Sequence, residues 1–243
     1  MGPSSPPSAA LVPPIGAAMS SVAVTGASCQ PGPSPTARAL RLEGLRADGP
    51  EALRSLLSEL SDPPWDVEVA DGDPVAPLLA AEGFEPYARM VVMARPIAGL
   101  PRAPYVSGVS VEPYRNEWSE AFTAAEGMAM EGLSAFAEMG QPTGYEEAEG
   151  FDAFSVARDN RDMLGFAQAM LPEGWINWMG VVPAKRRLGV GTLLISDLAR
   201  QVSEARGTHL AALVEVGTGG EEFLRALSFR PRGELRTLMI RRA

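Results

Sequence analysis

Val181–Leu194 reads "VVPAKRRLGVGTLL". It follows an apolar run ending "WINWMG" and leads into a helical pattern beginning "LISDLARQVSEA". Two glycines and a basic triplet therefore fall where a strand turns into a helix. That arrangement suits a diphosphate. Glycine lets backbone approach an anion with no Cβ in the way, and a helix start presents unpaired N–H groups and the positive end of the helix dipole. Arg186 and Arg187 can add charge-assisted hydrogen bonds. The spacing Arg-x-x-Gly-x-Gly is not the dinucleotide Gly-x-Gly-x-x-Gly, and it lacks the Gly-Lys-Ser/Thr ending of a P-loop. A Rossmann fold or an NTPase is disfavoured.

Outward from that turn the pattern stays regular. "VSVEPY" reads as a strand, and a helical region runs from about Asn116 to Met139. "FDAFSVARD" and "MLGFAQAML" form two strands with "NR" between them, which suits a short hairpin. "GWINWMGVV", then the helix Val190 to Ala205, then "HLAALVEV", the helix "GGEEFLRALSF" and the strand "LRTLMIRR" complete the chain. Upstream, "ALRLEGL", "GPEALRSLLSEL", "WDVEVAD", "DPVAPLLAAEG" and "YARMVVMARP" predict β-α-β-α-β in about 60 residues. "IAGLPRAPYVSG", Ile97 to Gly108, has the Pro/Gly content of a linker. The two segments end alike. "LLAAEGFEPYARMVVMAR" and "FLRALSFRPRGELRTLMIRR" each carry a helix, a small residue and Phe, a proline two residues later, and an apolar strand. The first segment reads as a repeat of the C-terminal half of the second.

With these features on the page, Val182-Pro183-Ala184-Lys185-Arg186-Arg187-Leu188-Gly189-Val190-Gly191 resembles motif A of the GCN5-related N-acetyltransferases. The resemblance covers residues 109–243 as a whole domain and residues 38–97 as a degenerate half-copy. It implies an α/β fold with a mixed, mostly antiparallel sheet flanked by helices. It also implies acetyl-CoA as cosubstrate. Val181 and Val182 would lie on the pantetheine, and Arg186, Arg187, Leu188, Gly189, Val190, Gly191 and Thr192 on the pyrophosphate. The backbone N–H of Val181 would serve as oxyanion donor. The corresponding turn of the first copy, "EGLRADGPEALRSLL", has no Arg-x-x-Gly-x-Gly, which assigns that copy to packing rather than to binding. The division that follows is a disordered leader over 1–37, a half domain over 38–97, a linker over 98–108 and the transferase domain over 109–243.

The chain departs from the family where catalysis is concerned. The position of a frequent Asn after the strand following motif A falls at or near Gly217, and the Tyr that protonates the departing thiolate is replaced by Leu224. A general base is required only if the attacking amine arrives protonated. Glu215 is the best placed, on a strand whose alternation sets His209, Ala211, Leu213 and Glu215 on one face. Glu126 and Glu131 are weaker candidates, and Asn177 is a possible substrate-orienting residue. The acidic stretch Tyr145 to Gly150, with Glu131 and Glu138, favours a cationic amine through local potential. Met128, Met130, Phe136 and Met139 suit helix packing or a pliable pocket wall, packing being favoured for most of them. The reading is an N-acetyltransferase for a small-molecule or peptide primary amine, with homodimerisation possible. The alternative is a non-catalytic acyl-CoA-binding or sensing module.

Bulk composition excludes several classes. Hydrophobic residues make up 46% of the 243, enough for a buried core. A formal charge of −9 argues against nucleic acid as a partner, since phosphate backbones require a basic footprint. Cys29 is the only cysteine and His209 the only histidine, so neither an internal disulfide nor a His/Cys metal site is expected. No run approaches the roughly 18 to 20 apolar residues of a membrane span. The first 37 residues carry no charge, hence no basic n-region of a secretory signal. A cytoplasmic protein is expected, with Met19 as an alternative start. The Pro/Ser/Gly/Ala-rich leader has too little apolar pattern to form a core of its own.

Overall fold

The computed structural model describes residues 22–24, 27–33, 40–60, 64–134 and 153–242. Two short segments within 1–37 are strands. Val22–Val24 (β1) pairs antiparallel with Ala27–Pro33 (β2), and β2 pairs antiparallel with Leu40–Ala47 (β3). Ala27 and Cys29 are buried in a cluster with Leu42, Leu53 and Leu56. A segment that cannot build a core can still complete one that β3 and the next helix supply. The rest of the leader lies outside the described residues.

The chain forms two compact units, Met1–Arg89 with Gly233–Ala243, and Met90–Arg232. In the first, β3 leads into Pro50–Ser58 (α1), whose Pro occupies the first turn, where a missing N–H costs nothing. Its apolar stripe of Leu53, Leu56 and Leu57 is buried. Trp65–Ala70 (β4) returns parallel to β3, paired at Leu40↔Trp65 and Arg41↔Asp66. Val75–Ala81 (α2) then precedes Glu85–Pro96 (β5).

The second unit opens with Ser110–Pro113 (β6) and Ser119–Met130 (α3), and continues through Ala153–Arg158 (β7), Met163–Met170 (β8) and Trp175–Val181 (β9). Val190–Glu204 (α4), His209–Glu215 (β10), Gly219–Ala226 (α5) and Arg230–Arg241 (β11) follow. Strands β6 to β9 are antiparallel neighbours, β9 and β10 run parallel, and Met90–Pro96 of β5 runs antiparallel to β10. This is the mixed, mostly antiparallel sheet that the sequence reading anticipates. Alternation sends Phe166 of β8 to α3, where it clusters with Phe122 and Ala129, while Gly165 faces Leu194 of α4. Helices thus cover both faces.

The units do not follow a cut between residues 97 and 109. Strand β5 closes the first sequence copy, yet its Met90–Pro96 portion pairs with β10 of the second unit. Strand β11 closes the second copy, yet its Arg236–Arg241 portion pairs with β4 of the first. The final strands of the two copies are exchanged. The repeat itself reaches atomic detail: Phe84 N–H bonds Leu79 C=O and Phe229 N–H bonds Leu224 C=O, both at 3.0 Å. Gly83 (φ 85°) and Ser228 (φ 66°) occupy the left-handed position between them. Each is a six-to-one helix stop in which the last-turn Leu and the following Phe are buried together.

Candidate functional site: the opening between two strands and its glycine turn

Strands β9 and β10 pair only at Trp175↔Ala211 and Ile176↔Ala212. Just past that point β9 carries a bulge, since Gln168 of β8 opposes Trp178 while Ala169 opposes Ile176, leaving Asn177 as the extra residue. A bulge bends its strand and sharpens the local twist, which accounts for the parting of β9 from β10. The amide Nδ2 of Asn177 is buried there with no hydrogen-bond partner among the described residues.

Beyond the bulge β9 keeps its bonds to β8 and exposes its other edge. The N–H of Val182 donates to Leu164 C=O at 3.0 Å. One residue earlier, alternation points the N–H of Val181 the opposite way, toward the strand that has diverged. The carbonyl of Val181 accepts from Arg186 Nε at 3.1 Å, and Arg186 Nη2 donates to Ala129 C=O at 2.9 Å. The Arg186 side chain therefore ties the turn to the end of α3. Arg187 is exposed and takes a left-handed φ of 65°. Lys185 pairs with Asp159 at 3.5 Å. The N–H groups of Asp162 and Arg161, followed by Lys185, hold the Asp159 carboxyl below its usual range.

Helix α4 starts at Val190, capped by Gly189 in the left-handed region (φ 90°). The first bond of the helical ladder runs from Leu193 N–H to Gly189 C=O, so the N–H groups of Val190, Gly191 and Thr192 lie outside that ladder. The glycines have a packing reason. A Cβ on Gly189 would sit 3.0 Å from Pro104 Cγ and 3.2 Å from Val106 Cγ2, because the segment 98–108 passes against the turn. A Cβ on Gly191 would sit 3.0 Å from Phe223 Cζ and 3.6 Å from Met179 Cε. Phe223 of α5 and Met179 of β9 thus flank the opening beside the start of α4. Sequence reading missed both; the only signal was that Met179 shares the strand face of Val181.

Glu215 is half-buried at the end of β10, and its Oε1 accepts from Ser134 N–H, after α3, at 3.4 Å. Gly217, at the frequent Asn position, takes φ 80° and donates its N–H to Glu221 Oε2 at 2.7 Å. Thr218 caps α5, its Oγ1 accepting from Glu221 N–H at 3.4 Å and donating to Glu215 C=O at 2.7 Å. Glycine there serves a tight capping loop. Leu224 is buried, 5% exposed, as the apolar partner of the helix stop at Phe229. Glu126 is fully buried in α3, Glu131 is exposed, Met130 is in the core and Met128 is 49% exposed. Phe136, Glu138, Met139 and Tyr145 to Gly150 lie outside the described residues.

No protein-family model matches the chain. No curated protein matches it by sequence either. Solved structures do. A GCN5-related N-acetyltransferase from Sphaerobacter thermophilus superposes with a TM-score of 0.64 at 16% identity, over 89% of this chain and 76% of that one. One from Kribbella flavida gives 0.62 at 18% identity, over 93% and 89%. A tandem GNAT protein from the clavulanic acid biosynthesis pathway gives 0.58 at 14% identity, over 89% and 78%. With strands parting above a bulge and a glycine turn at their open end, the chain has the fold of the GCN5-related N-acetyltransferases, tandem members included.

Proposed function

We propose that this protein is an acetyl-CoA-dependent N-acetyltransferase acting on a primary amine, and that it belongs to the family whose fold it shares. The observation that carries the reading is the Val181 edge. A strand freed of its neighbour turns one N–H into an opening whose far end is a helix start with three N–H groups outside the ladder. The residues fit a diphosphate: the N–H groups of Val190, Gly191 and Thr192 donate to its oxygens at the positive end of α4, and Arg187 adds charge. Val182 holds β9 to β8 while Val181 lines the arm. Acetyl-CoA supplies the activated acyl group.

In this reading the Val181 N–H donates to the carbonyl oxygen as negative charge develops on it. One such donor is typically worth about 2.7–4 kcal/mol. Glu215 takes the proton of an ammonium acceptor. With leucine at 224, the thiolate leaves without an acid from α5, which a good leaving group tolerates. The acceptor is a small molecule or a peptide, and acidic residues on the acceptor side favour a cation. Cytoplasmic location, monomer or homodimer, and no role for nucleic acid or membrane belong to the same proposal.

The buried Leu224 favours one second reading, a non-catalytic acyl-CoA-binding module. Calorimetric titration with acetyl-CoA, run beside thiol release over a panel of amines, decides between them. Binding with thiol release on at least one amine supports the enzyme. Binding without release on any supports the module, and absence of binding removes both.

A further inference from the structure

Strand β9 parts from β10 directly after Ile176↔Ala212, and the next residue is Asn177. As the extra residue of the bulge it has no register partner on β8 or β10. The position does not require a polar side chain. An apolar residue would fill it at no cost, whereas a buried amide nitrogen without a partner costs free energy comparable with a lost hydrogen bond. Asn177 Nδ2 is such a nitrogen, buried and with no hydrogen-bond partner among the described residues. The residue as a whole is half-buried. Its χ2 torsion is broad and roughly two-fold, so either end of the amide can turn to meet a group that enters where the strands part.

Distance, charge and hydrogen-bonding capacity narrow that group. Asn177 lies four residues before Val181, about 13 Å along the strand, further than an amide side chain reaches. The group it meets is therefore remote from the nitrogen that attacks the thioester. Glu215 stands half-buried on β10 beyond the parting, and Glu126 is fully buried in α3. Two carboxylates disfavour an anion there, so the group is neutral. Nδ2 donates and Oδ1 accepts. A hydroxyl does both and satisfies the amide in either orientation, whereas a carbonyl satisfies only one.

We propose that Asn177 is a positioning residue for the acceptor, and that the acceptor is an amino alcohol: a primary amine whose hydroxyl, several bonds from its nitrogen, hydrogen-bonds the Asn177 amide. Open-chain amino alcohols and amino sugars share this chemistry. The inference rests on the transferase reading above and adds the class of acceptor and the residue that reads it. The hydroxyl is held and is not itself acylated.

The test measures thiol release from acetyl-CoA with matched pairs, straight-chain amino alcohols from aminoethanol to aminooctanol against alkylamines of the same length, and a hexosamine against cyclohexylamine. The unaltered chain is expected to prefer the hydroxyl about tenfold in kcat/KM, mostly through KM, and in the open-chain series at one length. Whichever of the two sets shows the larger preference identifies the source. Asn177→Leu, similar in shape, should bring the ratio close to one and melt no lower, because the amide nitrogen has no partner to lose. Asn177→Gln, longer by one methylene, should keep the preference but move it to an amino alcohol one carbon shorter. Equal use of amino alcohols and alkylamines by the unaltered chain overturns the proposal and leaves the transferase reading standing. An unaltered ratio in Asn177→Leu also overturns it, as does an unmoved optimum in Asn177→Gln. If no amine releases thiol, the transferase reading fails first and takes this one with it.

Discussion

The two units contain the same device in two conditions. In each, a parallel strand pair is held at only two positions, Leu40↔Trp65 and Arg41↔Asp66 in the first, Trp175↔Ala211 and Ile176↔Ala212 in the second. At the second of these positions the first unit places a buried ion pair. Arg41 bonds Asp66 and Glu68, Arg236 bonds Glu68, and Tyr87 donates to Asp66 at 3.0 Å. The second unit places Ile176 and Ala212 there. Following the strands outward, the first unit starts its helix with Gly49 (φ 174°) and Pro50, which donates no N–H, and the second with Arg187, Gly189 and three free-standing donors. One opening is closed with side chains and the other is kept as backbone.

The largest expected effect comes from unplugging the first unit. Asp66→Ala leaves Arg41, 7% exposed at its side chain, without its main partner, and should cost about 3–5 kcal/mol in urea unfolding. The double variant Arg41→Met, Asp66→Leu should recover most of that loss. Acetyl-CoA affinity of the folded protein should not change in either. A loss below about 1 kcal/mol for Asp66→Ala would place the ion pair among ordinary surface contacts and dissolve the contrast.

Val181→Pro removes the N–H that faces the open edge, while the neighbouring Val182 N–H keeps its bond to Leu164. Turnover should fall about 10²- to 10³-fold with thermal stability nearly retained. Unaltered turnover would show that the freed edge plays no part in the chemistry. Leu224→Tyr asks whether the missing acid can simply be restored. Since Leu224 is packed into the helix stop, the larger side chain should cost about 1–3 kcal/mol and bring no gain in turnover.

Gly191→Val puts a side chain where Phe223 lies, so acetyl-CoA affinity should drop about tenfold, and Phe223→Ala in the same chain should restore it. Failure of that rescue would separate the glycine from the ring. The smallest effect concerns Glu221. The Gly217 N–H and then Arg225 hold its carboxyl below the usual glutamate range. A carboxylate whose folded pKa is depressed stabilises the protein above its unfolded pKa, and the contribution is lost as pH falls through the folded value. Glu221→Gln should therefore flatten the acid limb of stability below the ordinary glutamate range, as followed by thermal melts from neutral to acid pH.

The family resemblance was legible because motif A is local. A strand, a positive-φ glycine and a helix start must be adjacent in sequence, so their spacing survives in a single chain. The repeat was legible for the same reason: Leu79, Gly83 and Phe84 match Leu224, Ser228 and Phe229 inside one helix stop. The hairpin β1–β2 was not, because Ala27 and Cys29 are buried against residues beyond their own segment. Composition measures only what a segment can bury by itself.

By itself, then, the sequence determined the elements from β3 onward, the glycine turn and the helix stop that each half repeats, each of which depends on residues within about a dozen positions of one another. Tertiary structure alone decided which copy each closing strand serves. The segments ending in β5 and β11 carry the same helix, the same stop and the same apolar alternation, so either satisfies the edge of β4 or of β10 by local rules. The choice was made by long-range pairing, Met90 with Glu215 and Arg236 with Ala70. It was also made by side chains that reach across the chain, the part-exposed Arg236 to Glu68 and the buried Arg95 to the carbonyl of Leu227. A buried cation must find its acceptor wherever the fold brings one, and nothing in the spacing of a sequence says where that will be.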